Sequence, residues 1–133
     1  MDINQKNIEN KEELLKMIKE GVNPIEYIKD ETDINFVCST IAYSTTSEDT
    51  YFDDMAELLL KSFVYYLLSK NEEEKTLNKC KEMIEIGINN REKIKNMLDE
   101  NESSKSLYTG IDIASDKNYA MIYETLKNKL DIV

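Results

Sequence analysis

The chain has 133 residues, 41% of them hydrophobic, and a formal net charge of −10. That length suits one domain, and that apolar content sets it apart from disordered chains. The absence of histidine excludes Ser-His and Cys-His nucleophile systems and most zinc sites, and the acidic balance argues against strong unaided binding to DNA or anionic membranes.

Only 3 Gly and 1 Pro interrupt the chain, which favours long helices over a many-turned sheet. Residues 1–10 read as a polar, frayed start with no targeting pattern. Leu14, Leu15, Met17 and Ile18 predict a short helix over residues 11–20, stopped by Gly21. Pro24 suits a first helical position behind Asn23 as cap, and one turn through Ile28 follows. Ile34, Val37, Cys38 and Ile41 recur at i, i+3, i+4, i+7. That period marks one buried face of a helix over residues 33–43, capped by Asp30 or Thr32. Residues 44–50 are a polar loop.

Residues 58–68, LLLKSFVYYLL, contain only Lys61 and Ser62 as polar residues. A helix apolar on nearly all sides must be enclosed by its neighbours. The segment is too short to span a bilayer, which takes roughly 20 apolar residues. It predicts a central helix, capped by Asp49 or Thr50 and running to about Ser69, with Leu59, Phe63 and Leu67 stacked in the core. Tyr65 and Tyr66 belong at the core boundary. Residues 72–74 read as another helix start, and Leu77, Cys80, Met83 and Ile84 as a stripe ending at Gly87. A helix over residues 90–100 carries Ile94, Met97 and Leu98. A second polar loop spans residues 101–106, and Ser103 or Ser104 opens a last helical region to Leu130, with a kink or break at Ser115-Asp116. The expected fold is all-α, a single compact bundle of six to seven helices around a central apolar helix. Residues 1–22 supply a polar segment and a short helix, and residues 23–133 the domain proper.

No catalytic constellation stands out. There is no GxxxxGK[ST] loop to cradle phosphates, so the usual P-loop route to ATP hydrolysis is closed. Cys38 and Cys80 sit in no metal-ligand spacing and read as reduced thiols of a cytoplasmic protein, Cys38 as core packing. No catalytic residue, metal or cofactor is expected, and no transmembrane segment.

Two charged groups remain. Glu48, Asp49, Asp53, Asp54 and Glu57 surround the start of the central helix. Asp53 and Glu57, at i, i+4, have the spacing for Mg²⁺ or a shared proton, but lack ligands from a second helix. Their ordinary role is to cap and to oppose the dipole; their functional role is to contact a partner. Lys75, Lys79, Lys81, Arg91, Lys93 and Lys95 form the only basic stretch, net +3 once Glu82, Glu85 and Glu92 are counted. Either this is an ordinary solvated face or it makes a weak contact with DNA or an acidic partner. The charge is uneven. Residues 1–74 hold 7 Lys+Arg against 17 Asp+Glu, while residues 75–133 hold 10 of each. The acidic half suits a basic protein partner.

The order of features over residues 23–130 resembles the all-α domain of conjugative coupling proteins, the TraG-like ATPases of type IV secretion. Asn23, Pro24, Ile25, Tyr27 and Ile28 open the pattern. An amphipathic helix, a Ser/Thr-rich loop and the aromatic pair Tyr51-Phe52 at the head of a Leu-rich helix follow. Residues 108–130, with Ala114, Lys117 and Ile122, resemble that domain's last helix. The sequence departs from the family in Phe52, where Trp is usual, in Ala56, where an acid is common, and in a short linker after Lys70. The resemblance implies a non-enzymatic substrate receptor, inserted in an ATPase domain and facing the cytoplasm. Its partner would be a relaxase, a relaxosome accessory protein or a relaxase–DNA complex. Lys117 matches a family lysine and joins the basic residues as a DNA or acidic-partner contact. The alternative is a stand-alone helical regulator or accessory protein of a mobile element. A reading frame that continues past Val133 into a Walker B-like strand would favour the first, and an independent gene the second.

Overall fold

A computed structural model describes residues 10–46 and 48–133. The expected polar start lies almost wholly outside the described residues, as does Ser47. Among the described residues there are seven α-helices and no strand: α1 (Lys11–Lys19), α2 (Glu31–Ala42), α3 (Tyr51–Leu68), α4 (Leu77–Asn89), α5 (Arg91–Leu98), α6 (Glu102–Asp112) and α7 (Asp116–Ile132). Short 3-10 turns at Pro24–Tyr27 and Glu72–Glu74 link α1 to α2 and α3 to α4. None of the described helices is long and apolar enough to cross a membrane.

Polar side chains set most of the helix starts. Asn10, Asp30, Thr76, Asn90, Asn101 and Ser115 each accept a hydrogen bond from a backbone amide two or three residues on. Each satisfies an amide that the first turn leaves without a helical partner. Asn10, expected to be frayed, is the cap of α1. At α3 the cap residue Thr50 makes no such bond, and Asp49 accepts from the Tyr51 amide at 2.9 Å instead. Helix α1 ends as expected at Gly21, whose φ of 98° suits a residue without a Cβ. The Gly21 amide donates to Ile18 and the Val22 amide to Met17, both at 3.0 Å, closing a Schellman motif.

Helix α3 is the axis of the bundle and packs against α2, α6 and α7. Leu59, Leu60, Phe63, Val64 and Leu67 are fully enclosed, joined by Val37, Cys38 and Ile41 from α2 and by Ile122, Tyr123, Leu126 and Leu130 from α7. Ser62, also buried, donates to the Leu59 carbonyl at 2.7 Å, so the apolar helix carries no unmet hydroxyl there.

Four expectations about elements change. Residues 72–74 form an isolated 3-10 turn, and α4 starts only after the Thr76 cap. Gly87 does not stop α4. The helix runs through it to Asn89, and a Cβ at Gly87 would lie 2.2 Å from Tyr123 Cε1. The glycine is there for a close approach, which a sequence cannot distinguish from a stop. Residues 101–106 are not a loop: Asn101 caps α6, and Glu102 to Ser106 are its first residues. The run that resembles a single last helix folds as two, separated by residues 113–115.

Candidate functional site

The five carboxylates around the head of α3 do not form one surface. Asp53 points inward and meets the Lys129 ammonium of α7 at 2.8 Å, with both side chains nearly excluded from solvent at 6% and 4% exposure. Lys129 also donates to the Thr45 carbonyl at 2.7 Å, so one ammonium ties the α2–α3 loop and the head of α3 to α7. Asp54 accepts from the Tyr43 hydroxyl. That bond, then burial, raises the Tyr43 phenol above its ordinary pKa. Glu57 lies 3.8 Å from Lys61, one turn along the same helix. Glu48 and Asp49 are exposed, and Asp49 accepts from the first amide of α3. Asp53 and Asp54 are thus engaged within the fold, and the expected partner-binding cluster shrinks to its rim. Among the described residues, no group of three or more Cys, Asp and Glu gathers in a metal-binding arrangement.

The basic stretch is also largely consumed. Lys75 pairs with Glu72 at 2.9 Å, Lys79 with Glu82 at 3.3 Å and Glu74 at 3.9 Å, and Lys95 with Asp99 at 3.3 Å. Carboxylates outside the counted stretch therefore offset much of its net +3. Lys81, Lys93 and Lys117 stay exposed on different helices, α4, α5 and α7.

Arg91 has a structural task. Its guanidinium donates to the Asp112 and Ala114 carbonyls at 2.6 and 3.0 Å and pairs with Asp116 at 3.1 Å. It also lies 4.1 Å from the centroid of the Tyr119 ring. The last carbonyls of a helix have no helical partner. Arg91 supplies one, and so fixes the joint between α6 and α7. Behind it, Tyr119 donates to the Gly87 carbonyl at 2.8 Å, and the Tyr108 hydroxyl lies 2.9 Å from that of Tyr123 and 3.4 Å from that of Tyr119. Burial raises the pKa of both Tyr108 and Tyr123, so these phenols stay neutral hydrogen-bonding groups. Three tyrosines and one helical glycine on α4, α6 and α7 were the signal in the sequence; their meeting was not.

Both thiols are enclosed. Burial raises Cys80 to about 12 and, with Cys80 nearby, raises Cys38 as well. A thiol held protonated is a poor nucleophile. No protein-family model matches this chain, and neither a curated protein sequence nor a solved structure matches it.

Proposed function

We propose that this chain is a non-catalytic protein-binding domain, the substrate receptor of a TraG-like conjugative coupling protein. In this reading it recruits a relaxase, a relaxosome accessory protein or the relaxase–DNA complex. One observation favours a basic protein partner. Glu12, Glu13, Glu20, Glu26 and Glu31 form no ion pair with any described residue, whereas most cations beyond residue 60 are matched by carboxylates of the same fold. Unmatched exposed charge is available to a partner and steers encounter. The resemblance over residues 23–130 supplies the class of that partner. DNA alone has little to hold, since only scattered lysines remain unpaired.

The test is binding of the purified chain to a relaxase and to its accessory proteins, with salt raised from about 50 to about 300 mM, a range over which the screening length falls by a little more than half. Affinity should fall as salt rises, and Glu12→Lys with Glu13→Lys should slow association. No binding at any salt would overturn the reading. So would tight, salt-resistant binding to DNA alone.

A further inference from the structure

A groove of about 440 Å³ runs between α2, α3 and α6. Its floor is one turn of α3, Lys61 and Tyr65. Its walls are Glu31 and Asn35 from α2 and Glu102 and Ser106 from α6. Lys61 is turned to Glu57, one helical turn back. The wall carboxylates Glu31 and Glu102 make no ion pair with a described residue. The Tyr65 ring is half-buried and carries no cation, unlike Tyr43, Tyr66 and Tyr119. Glu31 lies close enough to Tyr65 to raise its phenol pKa, after burial itself.

The chain shows elsewhere what such a set can hold. At the α6–α7 joint, Arg91 lies over a tyrosine ring while pairing with a carboxylate. A planar guanidinium does both at once; an ammonium stacks less well and is more strongly hydrated. The groove offers a ring and carboxylates with no guanidinium, and Arg91 is the only arginine in the chain. Resting on the reading that the partner is a basic protein, we infer that the α2–α3–α6 groove receives an arginine side chain of that partner, over Tyr65 and between Glu31 and Glu102.

The probe is hexa-arginine, titrated into the isotope-labelled chain and followed by amide chemical shifts, with hexa-lysine as the equal-charge control. Hexa-arginine should move Asn35, Tyr65 and Ser106 most, and saturate. Glu31→Gln with Glu102→Gln should weaken it about fivefold, the scale of two exposed charge pairs. Tyr65→Leu, which leaves the charge intact, should weaken it about threefold. Glu12→Gln with Glu13→Gln, outside the groove, should change it less than twofold. Shifts spread along α1, equal losses from both carboxylate pairs, or equal binding of hexa-lysine would overturn the inference. The two readings fail separately. If hexa-arginine seats in the groove and no relaxase or accessory protein binds the chain, the partner class is wrong and the groove stands. If a relaxase binds and is indifferent to Glu31→Gln with Glu102→Gln, the groove is wrong and the partner class stands.

Discussion

The two ends of this chain handle charge differently. On and around α1 and at the start of α2, Glu12, Glu13, Glu20, Glu26 and Glu31 stand in solvent and form no ion pair with any described residue. From just before α4 onward, Lys75, Lys79, Arg91, Lys95 and Lys127 each lie within 4 Å of a carboxylate, as Lys61 and Lys70 do on and just after α3. Joining the two halves is the one nearly solvent-free ion pair among the described residues, Asp53–Lys129. Most of the positive charge in the C-terminal half is therefore matched within the fold, while those five N-terminal carboxylates are matched by no described residue. The same side-chain chemistry takes on different roles depending on whether a partner is within reach.

The largest effects should come from the buried pair. Lys129→Ala leaves Asp53 enclosed without its cation and strips the Thr45 carbonyl of a donor. Breaking a buried pair on one side costs about 3–5 kcal/mol, which denaturant unfolding would show. Replacing both members by apolar residues, Asp53→Leu with Lys129→Met, should recover much of that loss. A single variant as stable as the parent would mean that water reaches Asp53, and the comparison between inward and outward charge would collapse. Phe63→Ala, on the apolar side of α3, should cost about as much, 3–5 kcal/mol.

Next in size is Gly87→Ala. The new methyl would meet the Tyr123 ring, which is enclosed and within hydrogen-bonding distance of Tyr108. Overpacking of this kind costs about 1–3 kcal/mol. Were Gly87 the helix stop that its sequence position suggests, the substitution would instead strain a left-handed turn. Gly87 lies in mid-helix and Gly21 carries the one positive φ among the described glycines. So Tyr123→Leu, which shrinks the opposing ring, should soften the Gly87→Ala penalty and leave a Gly21→Ala penalty unchanged.

These cases show which features were legible. LLLKSFVYYLL could be placed at the centre because no helix that apolar survives on a surface. Periodicity gave the buried faces of α2 and α4 for the same reason. Polar runs were harder to place. The stretch N-E-S-S-K-S reads as loop by composition, yet Asn101 caps a helix whose later residues Tyr108 and Ile111 reach the core. What the sequence could not carry was pairing at long range. Asp53 looked like one of five surface acids because its partner lies on α7. Arg91 looked like one of six basic residues because its carbonyl acceptors belong to a break that sequence only hinted at. Charge patterns along the chain say how many ions there are, and the fold decides which face water.

Alkaline pH probes the enclosed groups as a class. Burial raises the thiol of Cys80 to about 12, against an ordinary value of about 8.5 in an unfolded chain. Above that ordinary value the unfolded state sheds a proton that the folded state keeps. Stability is thus fully present below it and declines as pH rises toward about 12, by about 1.4 kcal/mol per unit for one such group. Cys38, Tyr108 and Tyr123 are shifted the same way and steepen the decline. Cys80→Ala should remove one proton from the slope. An unchanged slope would place the alkaline loss elsewhere.

The smallest effect bears most directly on the comparison. Neutralising Glu12, Glu13 and Glu20 to Gln removes charges that pair with no described residue. Stability should stay within about 0.5 kcal/mol of the parent. At low salt the net change should be near zero, since relief of self-repulsion in a chain of net −10 is offset by losing Glu12 and Glu13, which oppose the α1 dipole from its first turn. Neutralising Glu72, Glu82 and Glu85 to Gln removes the same amount of charge but takes away the partners of Lys75 and Lys127 and the nearer of the two partners of Lys79. That should cost about 0.2–1 kcal/mol per pair at low salt and fade as salt rises. The two triple variants therefore differ in size at low salt, the second costing more, and converge at high salt, in a thermal melt that needs no partner. If both triples shift the melt alike, exposed charge in this protein acts only through its total, and the division between the two ends loses its physical basis.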